Sequence, residues 1–161
     1  MLRHAKTGNA LPGEGDHDRR LTTRGEAQAQ RLGKYLRERG IPVDAVLCSD
    51  SVRTRQTYEL LRLPAPTYFD ESRRYYGAGG DELLQAVREL DEELPTALLV
   101  GHAPGVPAVV YDLADPATAD PAAFAAIETR FPPGTLAELE IIGSWADLAS
   151  ARLVQSRLPE V

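Results

Sequence analysis

Short apolar runs that alternate with longer amphipathic segments constrain the fold of this chain most. The runs at 43–49 and 96–102 have the length of strands, and both end in polar residues. Helical spacing of apolar residues is found at 23–40, 51–63, 81–90, 105–114 and 121–128. Strands that alternate with helices predict a mostly parallel central sheet with helices on both faces. We therefore expect an α/β three-layer sandwich, and 161 residues suit a single domain over 1–161.

Two further strands are predicted toward the end of the chain. Residues 135–141 alternate between apolar and acidic side chains, which is typical of a half-exposed strand, and 151–155 suit a last edge strand. The first strand, in contrast, has only Met1 and Leu2 before the polar residues begin. Two residues are too few for a central strand, so we expect either a start further upstream or a shortened first strand.

Capping residues place the helix ends. Thr23 and Glu26 have the spacing of a capping box, and Gly40 is a good helix stop. Asp81 is the predicted cap of the third helix. Pro107 fits the first turn of the fourth helix, where no amide hydrogen bond is lost.

Charge and composition exclude several classes of function. The formal net charge is -6 and the isoelectric point is about 5.1. An acidic chain without a basic stripe argues against nucleic acid or an anionic membrane as the main partner. We find no signal-peptide pattern and no apolar stretch of membrane-spanning length, so we expect a cytoplasmic protein.

Cys48 is the single cysteine of the chain. One cysteine cannot form an intrachain disulfide, and it suits a reducing compartment. Because it lies inside an apolar run, we expect a buried and inert thiol rather than a nucleophile. The sequence has no metal-ligand spacing and no glycine-rich phosphate loop, so no metal or other cofactor is expected.

Polar residues follow three of the predicted strands at the point where each strand ends. Arg3 and His4 follow the first strand, the next run leads into Arg53, and His102 follows the run at 96–102. Sheets of this kind bind ligands beyond the carboxyl ends of their strands. Guanidinium groups match phosphate oxygens and stay charged when partly buried. Two imidazoles and two guanidiniums therefore predict a pocket for a doubly charged anion.

Four segments resemble the motifs of the histidine phosphatase superfamily, the phosphoglycerate-mutase-like enzymes. "LRHAKT" resembles the arginine-histidine signature of the family, and "DRRLTTRGEAQA" resembles the segment after its first loop. "CSDSVRTRQT" and "LLVGHAPG" then resemble its arginine motif and its second-histidine motif, in the family's order. The short opening and the compact length are most similar to the SixA-type phosphohistidine phosphatases. The resemblance implies the phosphoglycerate-mutase-like fold.

The resemblance also implies a two-step phosphoryl transfer. By this likeness His4 attacks phosphorus and becomes a phosphohistidine, which water then hydrolyses. Arg3, Arg53 and His102 hold the phosphoryl oxygens, and Thr7 is expected to help bind them. The chemistry is consistent with the residue types, since an imidazole is largely neutral near pH 7 and needs no separate base.

A general acid for the leaving group is harder to place. Glu71 and Asp70 are candidates in the segment that follows the second helix, and Asp18 and Asp16 are candidates near the first loop. His17 is expected to be an exposed or substrate-rim residue rather than a catalyst. If the site has a weak general acid or none, a substrate with a phosphorus–nitrogen bond is favoured over a phosphate ester. The reason is that imidazole is a better leaving group than an alkoxide.

The sequence thus predicts a phosphatase that removes phosphate from phosphohistidine on a signalling or phosphotransfer protein. One alternative is a small-molecule phosphomonoesterase of the same superfamily, acting on a sugar, nucleotide or cofactor-precursor phosphate. A second alternative, of a different class, is a non-catalytic phosphate-binding module. The presence of Arg3, His4, Arg53 and His102 together favours the enzyme.

Overall fold

The computed structural model describes residues 1–159, which form one central sheet with helices on both faces. The strands of the described residues are β1 (Leu2–Arg3), β2 (Ala45–Ser49), β3 (Tyr68–Ser72), β4 (Ala97–Gly101), β5 (Leu136–Glu140) and β6 (Arg152–Arg157). Their order across the sheet is β3-β2-β4-β1-β5-β6. The first four are mutually parallel, and β5 runs antiparallel to its neighbour β1. Strand β6 is antiparallel to β5 and therefore points in the same direction as the first four. The predicted mostly parallel sheet is therefore confirmed.

The helices divide between the two faces of the sheet. They are α1 (Thr23–Glu38), α2 (Val52–Leu61), α3 (Gly80–Arg88), α4 (Gly105–Leu113) and α5 (Pro121–Glu128). The first two helices bury leucines against one face, and the last three bury aliphatic residues against the other. This arrangement confirms the three-layer α/β sandwich. None of the helices within residues 1–159 has the length and apolar character needed to cross a membrane.

The two-residue strand β1 lies in the middle of the sheet, so the expectation that it is too short for a central position is wrong. Leu2 pairs with Val100 of β4 on one side and with Leu136 of β5 on the other, and it is fully buried. Backbone hydrogen bonds continue the pairing at both ends of the strand. The α-amino group of Met1 donates to the Ala137 carbonyl at 2.9 Å. Pairing on both sides compensates for the small number of residues.

A cavity of about 610 Å³ lies beside the amino-terminal end of β1. Met1 lines it, together with residues of β4 and β5 such as Leu99 and Leu139. The α-amino group is buried here, and burial lowers its pKa to about 6. This cavity is at the opposite end of the strands from the polar residues that follow them.

Strand β3 is the element that the sequence pattern does not reveal. Its five residues pair in parallel with β2, from Ala45 and Tyr68 through Ser49 and Ser72. Most of the strand is exposed, because it forms an edge of the sheet, and its side chains show no alternation of apolar and polar residues. Long-range pairing with β2, rather than local pattern, creates this strand.

Two of the four predicted helix ends move by a residue or more. Thr22, not Thr23, caps α1, and its hydroxyl accepts a hydrogen bond from the Gly25 amide at 3.1 Å. Helix α3 begins at Gly80 after Gly79, whose amide donates to the Glu82 carboxylate at 2.7 Å, so Asp81 is not the cap. Gly40 has a φ of 60° directly beyond α1, and Pro107 lies in the first turn of α4, as predicted.

Helices α1 and α2 approach closely at Gly33. A Cβ atom at this position would lie 2.1 Å from the Leu61 carbonyl oxygen and 2.6 Å from its carbonyl carbon. Both contacts are with backbone, which cannot rotate away as a side chain would. Glycine is therefore required here for close packing and not for an unusual backbone conformation.

We predict that Gly33→Ala destabilises the fold by about 1–3 kcal/mol, because the added methyl group forces the two helices apart. Chemical denaturation gives the free energy of unfolding. Gln30→Ala is the matched control, since Gln30 is exposed on the same helix. Equal unfolding free energies for the two variants would contradict the proposed packing constraint.

Candidate active site

His4 and His102 face each other at the carboxyl ends of the neighbouring strands β1 and β4. Their ring centroids are 5.3 Å apart, and each residue is only 7% exposed. The His4 amide donates to the Gly101 carbonyl at 3.0 Å, which extends the β1–β4 pairing to the base of both rings. The structure therefore brings together the two histidines that the sequence places 98 positions apart.

The contacts of His4 define its tautomer. Its Nδ1 lies 2.8 Å from the carbonyl oxygen of Ala5. A carbonyl oxygen only accepts, so Nδ1 carries the hydrogen and Nε2 of the neutral ring carries the lone pair. The Ala5 amide in turn donates to the Thr57 hydroxyl at 3.0 Å, and that hydroxyl donates to the Arg53 carbonyl at 2.7 Å. These bonds anchor the histidine loop to α2.

Both rings are neutral at physiological pH. Burial lowers the pKa of His4 to about 4; the hydrogen bond to Ala5 opposes the shift. The guanidiniums of Arg53, Arg3 and Arg19 add to the lowering of that pKa. Burial is also the main reason why the pKa of His102 is lowered to about 3.

Ser49, at the end of β2, holds the second histidine. Its hydroxyl lies 2.8 Å from Nε2 of His102 and also accepts a hydrogen bond from the Ser51 amide at 3.4 Å. The other ring nitrogen of His102, Nδ1, is buried without a protein partner. The three parallel strands β1, β2 and β4 thus each contribute one side chain to this cluster.

Arg3 and Arg53 place guanidinium groups next to the histidines. Arg3 donates from Nη1 to the Phe131 carbonyl at 2.6 Å. Arg53 is 5% exposed and donates from Nη1 to the Asp16 carbonyl at 2.6 Å and from Nη2 to the Asp16 carboxylate at 2.9 Å. The protein therefore fixes both outer nitrogens of Arg53 and the Nη1 nitrogen of Arg3.

Buried donors without a partner concentrate in this cluster. Within residues 1–159, five buried side-chain nitrogen or oxygen atoms lack a hydrogen-bond partner in the protein. Two of them are the donors Nε of Arg3 and Nε of Arg53. A third is Nδ1 of His102, which is a donor in the tautomer whose Nε2 accepts from the Ser49 hydroxyl. Unpaired buried donors cost free energy, and native proteins pair nearly all of them. Such a set of donors suits an anion with several oxygens.

Asp16 brings a negative charge to the mouth of the cluster. Its carboxylate accepts from Arg53, from Arg19 Nη1 at 3.0 Å and from the Tyr76 hydroxyl at 2.7 Å. These hydrogen bonds, that of Tyr76 foremost, hold the pKa of Asp16 well below its usual range. The Asp16 side chain is 54% exposed, so the carboxylate is fixed in place but remains accessible.

Tyr76 and His17 complete the mouth. The Tyr76 ring lies edge-on to the rings of His102 and His17, with centroid distances of 5.4 Å to His102 and 4.9 Å to His17. His17 in turn contacts the Asp50 carboxylate at 2.7 Å. The structure thus places a partly exposed His17 at this mouth, and its predicted place beside a substrate stays a prediction. Asp16, His17 and Tyr76 are called the rim below.

Arg19 and Tyr76 have no role in the sequence interpretation. Arg19 lies inside the segment "DRRLTTRG", which resembles a family motif, so the motif could have indicated a place for Arg19 near the site. Tyr76 follows β3, the strand that the pattern does not reveal, and therefore no local signal placed it near His102. Thr7, predicted to bind phosphate, accepts a hydrogen bond from Arg19 Nη2 at 2.6 Å.

The other predicted acids have partners of their own. Glu71 lies 3.7 Å from Arg55, and Asp70 accepts from Arg74 at 3.1 Å and from the Tyr75 hydroxyl. The Asp18 carboxylate accepts the Gly15 amide at 3.0 Å, within its own short turn. The structure brings none of these three against the histidines in the hydrogen bonds, ion pairs and ring contacts of residues 1–159.

Cys48 is fully buried in β2, as predicted, and burial raises the pKa of its thiol to about 12. The thiol is therefore protonated and unreactive at neutral pH. Across the part of the chain that the structure describes, no group of three or more histidine, cysteine, aspartate or glutamate side chains could hold a metal ion.

Comparisons with known proteins identify the family of this chain. The family model of the histidine phosphatase superfamily (branch 1) matches residues 1–74. An uncharacterized protein of Mycobacterium tuberculosis is 37% identical over 161 residues, which cover 98% of this chain and 99% of the relative. That relative extends the similarity well beyond the matched family segment.

Two solved structures share the whole fold. One, from Nakamurella multipartitia, is 39% identical with a TM-score of 0.85 and covers 99% of this chain and 94% of its own. Another, from Agrobacterium tumefaciens, is 27% identical with a TM-score of 0.80, and the coverages are 98% and 95%. Both are provisionally named phosphohistidine phosphatase SixA. This chain therefore belongs to the histidine phosphatase superfamily and is SixA-like.

Proposed function

We propose that this protein removes the phosphoryl group from phosphohistidine on a signalling or phosphotransfer protein, with His4 as the nucleophile. The observation that carries the proposal is the set of unpaired buried donors of Arg3, Arg53 and His102 around a neutral His4. A phosphoryl group supplies the oxygens that these donors lack. The names of the similar SixA structures support the same substrate class.

In the first step, Nε2 of His4 attacks phosphorus. The Nδ1 hydrogen bond to Ala5 keeps the lone pair on Nε2 and strengthens as the ring gains positive charge. The bond from phosphorus to the leaving group breaks, and the electron pair departs with that group. Because the attacking ring is already neutral, no base is needed.

The charge of the transferring group is stabilised by groups already in place. The Nε–H groups of Arg3 and Arg53 donate to the phosphoryl oxygens. His102 acts as a third donor from Nδ1 if its Nε2 accepts the Ser49 hydroxyl, and the Ser51 amide bond to the same serine oxygen supports that assignment. Catalysis here consists mainly of positioning and electrostatic stabilisation.

In the second step, water attacks the phosphorus of phosphorylated His4. The phosphorus–nitrogen bond breaks, its electron pair returns to Nε2, and inorganic phosphate is released. The same donors stabilise this transition state, since the phosphoryl group stays in the pocket throughout. The partly exposed side chains of Asp16 and His17 at the rim leave the pocket open to water and to a side chain presented by another protein.

Replacement of the nucleophile tests the proposal. We predict that His4→Ala lowers kcat/KM for a phosphohistidine-bearing donor by at least roughly a thousandfold, because the variant lacks the imidazole that is proposed to accept the phosphoryl group. Release of inorganic phosphate is measured in the presence of EDTA, with an aryl phosphate and several sugar phosphates as further substrates. Lys34→Ala, exposed on α1, serves as the matched control.

The substrate series distinguishes the alternatives. Higher His4-dependent activity on a sugar or nucleotide phosphate would favour the small-molecule phosphomonoesterase. Absence of His4-dependent turnover on every substrate would favour a phosphate-binding module.

The charge state of His4 provides a separate test. We predict that His4 gains its proton only near pH 4, because burial and three guanidiniums disfavour the charged ring. Imidazole nitrogen chemical shifts, followed by NMR over pH 3 to 8 and assigned with His4→Ala, give the midpoint. A midpoint near the ordinary value of 6.5 would contradict the proposed neutral nucleophile.

A further inference from the structure

We propose that the Asp16 carboxylate recognises the leaving group as a protonated imidazole ring and so selects phosphohistidine over phosphate esters. This inference rests on the proposed function and names the residue that determines its substrate class. Asp16 then lies on the leaving-group side of the phosphoryl group, where hydrolysis of a phosphate ester would need an acid. It acts there as an acceptor of a hydrogen bond and not as a proton donor.

The position of Asp16 follows from the direction of attack. His4 and His102 form the floor of the pocket, each 7% exposed, whereas Asp16 is half exposed at its mouth. In an in-line transfer the leaving group lies opposite the attacking nitrogen. With His4 on the floor, the leaving group points outward and meets the rim.

The charge of Asp16 is fixed by its neighbours. Oδ2 accepts from Arg53 and from the Tyr76 hydroxyl, and Oδ1 accepts from Arg19. A carboxylate has about four acceptor sites, so one remains for a ligand. Three donors keep the group ionised, which means that it has no proton to give to an alkoxide but attracts a cationic ring.

The chemistry of phosphohistidine matches such a group. When the ring nitrogen that does not carry phosphorus is protonated from solvent, its N–H can donate to Asp16 in a charge-assisted hydrogen bond. His4 then attacks, the phosphorus–nitrogen bond breaks, and its electron pair stays on the departing nitrogen. The ring leaves as neutral imidazole and keeps the proton that faces Asp16.

A phosphate ester gains nothing from the same carboxylate. Its oxygen departs with the electron pair as an alkoxide, which an ionised Asp16 repels. The leaving group of an aryl phosphate such as p-nitrophenyl phosphate is a stabilised phenolate, which needs no proton. The aryl substrate therefore reports on phosphoryl transfer to His4 without the proposed contact between the leaving group and Asp16.

The test compares Asp16→Asn with the unmodified protein on two substrates. Asparagine retains an oxygen that can accept from Arg19, Arg53 or Tyr76 but removes the charge. We expect kcat/KM for a 3-phosphohistidine peptide to fall about tenfold or more, since charge-assisted hydrogen bonds are about twice as strong as neutral ones. For p-nitrophenyl phosphate we expect a fall at least about threefold smaller than for the peptide, because that reaction depends on Asp16 only through its hydrogen bond with Arg53. Asp18→Asn is the matched control, since its carboxylate binds only within its own turn.

Each outcome has a distinct meaning. An equal fall on both substrates would overturn the inference, because it would show that Asp16 only positions Arg53. An unchanged rate on phosphohistidine would overturn it as well. If the unmodified protein shows no His4-dependent turnover of phosphohistidine but hydrolyses the aryl phosphate, the proposed function itself fails, and the two failures are thus separable.

Discussion

The common register of three parallel strands is the constraint on which the site depends. Leu2, Cys48 and Val100 lie level across β1, β2 and β4, so the residues that follow them emerge at one edge. His4 and His102 come next to each other for this reason, and Ser49 lies within hydrogen-bond distance of the second ring. A shift of one residue in any of these strands would point its side chain to the opposite face.

Burial and positive charge then act together on the two imidazoles. Both lower the histidine pKa values, so the rings remain neutral among guanidiniums that would repel a second cation. The outcome is a site in which the neutral ring of His4, the proposed nucleophile, lies among fixed positive charges. Asp16 balances part of that charge at the mouth, where solvent also reaches.

Much of this arrangement is predictable from sequence, and the exceptions have physical causes. The apolar runs and the helical spacing predict the three layers of the fold. The polar residues that follow the runs indicate the candidate site residues Arg3, His4, Arg53 and His102. Strand β3 is not predicted because it is an exposed edge strand stabilised by pairing with β2. The position of Tyr76, which follows β3, is not predicted for the same reason. The central position of β1 is not predicted because pairing with β4 and β5, and not the length of the strand, keeps Leu2 in the sheet. Whether a carboxylate such as Glu71 or Asp16 reaches the site depends on long-range partners that no local pattern records.

The most direct test of the account is to look for the phosphoryl group on His4 itself. The protein is mixed with a phosphohistidine donor, quenched within milliseconds at alkaline pH, digested and examined by mass spectrometry. The account predicts one acid-labile, base-stable phosphoryl group on the peptide that contains His4, and on no other peptide. Turnover without phosphorylated His4, or with the label on another residue, would contradict it.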